Sequence, residues 1–161
     1  MNTKSIFLEI GRWAAVVAAL VLLILQLGGN SISTADPQEV ASAVTEQLDM
    51  TNMQLADNQM VKRLYGLDPS AYDSCILYYP NTNMMAEEIL IVKLKSTSQQ
   101  QAVADAVQGR LDTQKNTFEG YGVEQFDLLT NYSILELRGN FVLFVVNSQC
   151  DAARDAFLGA L

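Results

Sequence analysis

The stretch YSILELRGNFVLFVVN, residues 132–147, decides the fold that the sequence predicts. Two runs rich in strand-forming residues flank Gly139-Asn140, a dipeptide that favours a two-residue hairpin turn. A turn at that point places Arg138 opposite Phe141 and fixes the register of every other pair. We therefore predict an antiparallel hairpin over the whole stretch.

The two faces of this hairpin differ in composition. We expect the first face to be buried in the core: Leu135, Leu137, Val142, Phe144 and Val146. The second face mixes charged and large apolar side chains: Ile134, Glu136, Arg138, Phe141, Leu143 and Val145. Because a solvated face should not carry three large apolar residues in one strand, either a helix covers this face or a partner binds it. We favour cover by a helix, which makes the second strand central.

An open second face would instead be an interaction surface. In that case we expect Phe141 and Leu143 to anchor the partner, because large buried apolar side chains dominate binding energy. Glu136 and Arg138 would form the polar rim around them.

Two more strands are predicted upstream, at residues 71–79 and 87–95, separated by a loop. They form a second hairpin, and the segment EEILIVKLK at 87–95 has no cleanly polar face, which indicates an interior strand. Tyr78 and Tyr79 end the first of these strands beside an Asn-rich loop, and such a platform could bind a sugar or a peptide. Tyrosine is also common in strands for packing reasons alone, and we favour that explanation.

Helical patterns surround the strands. Capping signals and apolar spacing predict these helices: 36–48, 57–66, 96–119 and 151–161, with a further turn or two at 123–129. The order α-α-β-β-α-β-β-α predicts an α+β domain of two layers, in which helices pack on an antiparallel sheet of about four strands.

The N-terminal run WAAVVAALVLLIL, residues 13–25, predicts a membrane segment. Extended to residue 29 it is roughly 25 Å long as a helix, slightly under a hydrocarbon core of ~30 Å. Lys4 and Arg12 precede it, which keeps the N-terminus in the cytoplasm. We therefore expect an anchor at 1–29, a linker at 30–35 and a domain at 36–161 outside the membrane. A signal peptide cleaved near Ala35 is the alternative.

Charge and composition exclude several functions. The leader holds one acid and two bases, so the domain at 36–161 carries 17 acids and 8 bases. A domain this acidic should not bind nucleic acid. The chain has no histidine, which removes Ser-His and Cys-His nucleophile pairs and His-ligated metal sites. No phosphate loop or EF-hand loop is present, and we predict no cofactor and no metal.

Two pairs of residues have both a structural and a functional interpretation. Cys75 and Cys150 could form one disulfide, but we favour two unpaired buried thiols. Glu87 and Glu88 are adjacent on a strand and point to opposite faces, so they cannot act together as an acid/base pair. We interpret one of them as a partly buried ion-pair partner, with Arg110 or Lys93 as its counter-ion.

Several segments resemble a known family. LYGLD at 64–68, AEEILIVKLKS at 86–96, QKNTFEGY at 114–121 and GNFVLFVVN at 139–147 are similar to the domain of unknown function 4358 family. The resemblance implies a small bacterial protein with one N-terminal membrane segment or a lipoprotein signal. It supports topology and location and implies no site residue, because the family has no known activity. The family usually has proline after the tyrosine of its helix end, where this chain has Gly122.

The sequence thus predicts a non-catalytic binding or accessory module at the cell envelope, with an envelope protein or wall component as its partner. We base this prediction on a predicted membrane anchor followed by a domain that has no motif for a catalytic nucleophile, a metal site or a phosphate-binding loop. The alternative is a carboxylate-dependent hydrolase of envelope polymers, whose two acids would be brought together by folding.

Overall fold

A computed structural model describes residues 32–161 of the chain. The predicted membrane segment, residues 13–29, lies outside the described residues. Within residues 32–161 no helix is both long enough and apolar enough to cross a membrane.

The described chain is built on one antiparallel sheet of five strands, in the order β1-β2-β3-β5-β4. The strands are β1 (Met53–Leu55), β2 (Ser74–Pro80), β3 (Glu88–Lys93), β4 (Ser133–Arg138) and β5 (Phe141–Val146). The prediction of two hairpins is confirmed, but β1 was missed. It has only three residues at an edge of the sheet, and such a short, largely exposed strand leaves no alternation to detect.

The hairpin of β4 and β5 has the predicted register. Arg138 lies opposite Phe141 and Leu137 opposite Val142. The turn glycine, Gly139, has φ 55°, a conformation that side chains other than glycine adopt at a cost. On its other side β5 pairs with β3, and this pairing joins the two hairpins into one sheet.

Five α-helices accompany the sheet within residues 32–161, and the first two begin at the predicted caps. They are α1 (Pro37–Thr45), α2 (Asn58–Tyr65), α3 (Gln100–Phe118), α4 (Val123–Asn131) and α5 (Cys150–Gly159). Asp36 caps α1 and Asp57 caps α2, each accepting a backbone N–H of the first turn. Gly66 ends α2 with φ 67°, as a C-cap glycine does. The predicted turn or two after α3 is a full helix, α4.

The helices cover both faces of the sheet, so the predicted two-layer arrangement is wrong. One apolar cluster joins α2, α3 and α4 to the face that carries Leu90 and Phe144. A second cluster joins α1 and α5 to the face that carries Ile91 and Leu143. The reason is that β3 and β5 are apolar at nearly every position, and a strand without a polar face must be buried on both sides.

The second face of the hairpin is covered, as we favoured. Phe141, Leu143 and Val145 are fully buried in the cluster with α1 and α5. Phe141 and Leu143 could anchor a partner only if this face were exposed, and both side chains are buried. The prediction for the first face fails at β4, where Leu135 and Leu137 are 38% and 39% exposed. Both lie on β4, which is an edge strand and has a neighbouring strand on one side only.

The two cysteines are unpaired, which confirms the favoured interpretation. Cys75 packs against the cluster of α2, α3 and α4, whereas Cys150 belongs to the cluster on the opposite face of the sheet. The sheet therefore separates the two thiols. Burial raises the pKa of Cys75 to about 12, which keeps that thiol protonated and unreactive.

Replacing Leu143 with Asp puts a carboxylate into a fully buried apolar cluster. We expect the cooperative unfolding transition to disappear, because the cost is comparable with the whole stability of such a domain, about 5–15 kcal/mol. Leu135→Asp on the neighbouring strand is the matched control and should lower the free energy of unfolding by only about 1 kcal/mol. Urea unfolding of the full chain, followed by far-UV circular dichroism, measures both. A Leu143→Asp variant with a wild-type midpoint would contradict the burial of β5.

Candidate functional site

A buried ion pair connects the sheet to the longest helix. Glu88, the first residue of β3, is only 1% exposed. Arg110 of α3 donates to it through two nitrogens, with Nη2 2.7 Å from Oε2 and Nε 3.1 Å from Oε1. This is the bidentate geometry in which guanidinium and carboxylate bind most strongly.

Two further side chains complete the partners of Glu88. Tyr65, the last residue of α2, donates its hydroxyl to Oε1. Gln114, one turn after Arg110 on α3, donates its amide to Oε2 at 3.5 Å. The carboxylate therefore has donors from two helices, and a buried charge requires such compensation.

The surroundings shift the pKa values of this network. Burial, reinforced by the charge of Glu88 and the hydrogen bond to it, raises the pKa of Tyr65 well above its ordinary value. Burial alone would lower the pKa of Arg110, but the hydrogen bond and the charge of Glu88 outweigh it and raise that pKa. Tyr65 therefore stays neutral and Arg110 stays charged.

The glutamate prediction is confirmed in this network. Glu88 and not Glu87 is the buried member, and Arg110 is its counter-ion. Lys93 does not contact either glutamate in this way. Its Nζ lies 3.7 Å from Oδ2 of Asp73 and donates a hydrogen bond to the carbonyl oxygen of Ala35.

A cleft of about 320 Å³ opens beside this network, between α2, α3 and the end of β2. Its polar lining consists of Gln54, Arg63, Tyr79, Asn81, Thr82, Asn83, Arg110, Gln114 and Thr117. Its apolar lining consists of Met60, Leu64, Pro80 and Met85. A volume of this size, with apolar walls and a few convergent polar groups, is typical of a site for a small ligand.

The charge of this cleft is opposite to the charge of the domain. No Asp or Glu is among its lining residues, although the domain carries 17 acids. Arg63 is exposed at the cleft, and the Arg110 side chain is 14% exposed there. The bonds from Arg110 to Glu88 use Nε and Nη2, so Nη1 remains as a donor. The cleft is therefore suited to an acceptor-rich ligand.

A second cavity, of about 260 Å³, lies on the other side of β3. It brings two carboxyl groups together, those of Asp49 and Glu87, among the polar side chains of Asn52, Asn147, Ser148 and Gln149. Oε2 of Glu87 is buried there without a hydrogen-bond partner in the described part of the chain. Asp49 accepts from the hydroxyl and the backbone N–H of Thr51, and these bonds lower its pKa. Among residues 32–161 no group of three or more Asp, Glu, Cys or His side chains could hold a metal ion.

The six residues predicted to bind a partner do not form one surface. Phe141 and Leu143 are buried, and Tyr78 packs partly buried against the same cluster. Tyr79 lines the first cleft, on the other face of the sheet. Glu136 and Arg138 are half-buried on the edge strand β4.

Sequence reasoning missed the cleft, although one signal was available. The buried stripe of α3 contains Val103, Val107 and Phe118, and Gln114 occupies a stripe position where an apolar residue is expected. A polar residue on the core face of a helix requires a buried polar partner. Together with Arg110 one turn earlier, it indicated the network under the cleft.

Comparison with known proteins gives a match to a protein family. The family described as "Domain of unknown function (DUF4358)" matches residues 46–147. This segment contains all five strands, every residue that lines the first cleft and six of the eight residues that line the second cavity. No curated protein and no solved structure matches the chain.

Replacing Glu88 with Gln tests the buried ion pair. The change removes the negative charge and leaves Arg110 charged without a counter-ion, so we expect a loss of about 3 kcal/mol in the free energy of unfolding. Glu87→Gln is the matched control, because Glu87 has no ion pair in the described part of the chain and its Oε2 has no hydrogen-bond partner there, so losing its charge should not lower the free energy of unfolding. Urea unfolding at neutral pH measures the difference. Equal losses in the two variants would show that the pair does not stabilise the fold.

Alkaline unfolding tests the raised pKa of Tyr65. In the unfolded chain tyrosine loses its proton near pH 10. The folded state holds that proton to a higher pH, so its contribution to stability is complete below about pH 10 and is lost as the pH rises toward the folded pKa. Tyr65→Phe should therefore lose less stability than the wild type between about pH 9 and pH 11. Tyr72 and Cys75, whose pKa values are also raised, are present in both proteins and cancel. Parallel curves of urea midpoint against pH would refute the shift.

Proposed function

We propose that this chain, which belongs to the DUF4358 family, is a non-catalytic binding module held outside the bacterial membrane by its N-terminal segment. The binding site in this proposal is the cleft between α2, α3 and the end of β2. The cleft is the observation that carries the proposal, since it combines apolar walls with hydrogen-bond donors.

The chemistry of the cleft supports binding over catalysis. Its nearest carboxylate is Glu88, which is held by Arg110, Tyr65 and Gln114. A general acid or base must reach the substrate and exchange a proton near the working pH. A carboxylate paired bidentately and 99% buried does not meet the first requirement.

The alternative, a carboxylate-dependent hydrolase, has one observation in its favour. Asp49 and Glu87 line the same cavity, and glycoside hydrolysis uses two carboxyl groups. One of the two must be protonated to act as the acid, which requires a raised pKa. The hydrogen bonds from Thr51 lower the pKa of Asp49, so Asp49 suits the ionised role and Glu87 would have to be the acid. We favour binding because the donors and apolar walls of the first cleft suit a ligand whatever the protonation of these two groups.

The location in this proposal follows from the charges of the sequence. Lys4 and Arg12 precede the apolar run, and the next cation after it is Lys62. Such a bias keeps the N-terminus inside and sends the following domain out. A domain with 17 acids and 8 bases would also be repelled from an anionic lipid surface, so its ligand would be reached away from the membrane surface.

Site-specific cross-linking in intact cells tests the proposal. A photo-reactive amino acid at Asn83, on the exposed rim of the cleft, should give a discrete adduct with the bound envelope component. The same amino acid at Ala152, exposed on α5 across the sheet, is the control and should give none. A membrane-impermeant amine reagent, added to the same intact cells, should label the lysines of the domain.

Each part of the proposal has its own contradicting result. Equal adducts or no adducts at the two positions would reject the cleft as the binding site. Labelling of the lysines only after lysis would reject the outside location. Hydrolysis of an envelope polymer by the full chain, lost in Asp49→Asn, would favour the enzyme instead.

A further inference from the structure

We infer that the cleft binds its ligand through a single carboxylate group that carries an apolar substituent. This inference rests on the proposed binding function and gives it a ligand class. Its basis is the placement of Arg63, Arg110 and the rim amides around one cavity that contains no acid.

The net charge of the cleft decides the charge of the ligand. The positive charge of Arg110 is neutralised by Glu88, because Nη2 of Arg110 lies 2.7 Å from Oε2 of Glu88. The pair therefore contributes almost no net charge to the cleft. Arg63 has no such partner in the described part of the chain and is the remaining positive charge at the cleft. One unbalanced guanidinium matches one negative charge. A dianion would leave a second negative charge to be repelled by the acidic domain.

The donors of the cleft match the shape of a carboxylate. A guanidinium presents N–H groups in a planar fork that fits the two oxygens of a carboxylate. Arg110 keeps Nη1 as a donor while its Nε and Nη2 hold Glu88, which fixes its orientation. Asn81 and Asn83 add exposed amide groups at the rim. Guanidinium groups bind phosphate as well, and phosphate is distinguished here by its second charge and by having no apolar substituent.

The apolar wall gives the ligand its second feature. Met60 and Leu64 lie one turn apart on α2 and face the cavity together with Met85. Methionine side chains are flexible and adapt to substituents of different shape. The carboxylate is therefore recognised by charge and geometry, and the neighbouring group by burial of apolar surface.

Two sources could supply this chemistry, the C-terminal residue of a peptide and a small carboxylic acid. Four probes separate them: N-acetyl-leucine, N-acetyl-leucinamide, 4-methylpentanoate and inorganic phosphate. Calorimetric titration of the full chain in mild detergent measures each affinity. We expect N-acetyl-leucine to bind at least about tenfold more tightly than its amide and than phosphate. The amide loses the charge-assisted contact with the guanidinium. Phosphate has no apolar substituent to bury against Met60 and Leu64. Tighter binding of N-acetyl-leucine than of 4-methylpentanoate identifies a peptide source, and the reverse order identifies a free acid.

A pair of neighbouring variants controls for folding and for long-range charge. Arg63→Gln should weaken the binding of N-acetyl-leucine about tenfold without changing the unfolding midpoint, because Arg63 is exposed. Lys62→Gln removes the same charge one residue away. Lys62 pairs with Asp68 and does not line the cleft, so this variant should bind as the wild type does.

The outcomes distinguish this inference from the proposed function. Equal affinities for the acid and the amide, equal or tighter binding of phosphate, or equal effects of the two variants would overturn the carboxylate. An absence of binding by all four probes at about 10 mM would overturn it as well. If the Asn83 adduct persists in any of these cases, the cleft still binds and only the ligand class is wrong. If the adduct is absent too, the binding function fails.

Discussion

The burial of the Glu88 carboxylate determines how the part of the domain that contains the cleft is held together. Glu88 begins the strand β3 beneath the helices α2 and α3 and is almost completely removed from water. Such a charge is tolerated only with full compensation, and the compensation comes from Tyr65 at the end of α2 and from Arg110 and Gln114 on α3. The same contacts that satisfy Glu88 therefore fix both helices against the sheet and hold the polar wall of the cleft in place.

The fold could be predicted from the sequence where a local pattern of residues determines how two strands pair. The hairpin of β4 and β5 followed from Gly139-Asn140 and its flanking runs, and its register was right. The number of layers was harder to predict, because a fully apolar strand shows that both of its faces are buried but not what covers them. The exposure of Leu135 was not predictable from β4 alone, since it depends on β4 being the last strand of the sheet. The three-residue strand β1 had no periodicity to read.

The cleft was less predictable than the fold, because its residues come from distant parts of the chain. Tyr65, Glu88 and Arg110 are separated by more than twenty residues each, and only folding makes them neighbours. The adjacent glutamates did indicate a buried ion pair, and the choice between two counter-ions needed the structure. No local pattern shows that Arg63 and the rim amides share a cavity. Tyr79 was singled out for its aromatic ring, yet it is the only aromatic residue among those that line the cleft, and half of the others carry amide or guanidinium groups.

The coverage of the sheet explains why a binding site would lie at this end of the domain. Helices occupy both faces of β3 and β5, so neither face can receive a ligand without unfolding. The edges of the sheet offer mainly backbone groups, and on β4 they are flanked by half-exposed leucines with no cavity to orient a small molecule. Concave surface forms beyond the covered strands, and the larger of the two cavities described above lies where α2, α3 and the end of β2 diverge. Arg110 reaches that surface only because Glu88 holds it from below, and a guanidinium fixed in this way can bind an anion with little loss of side-chain entropy.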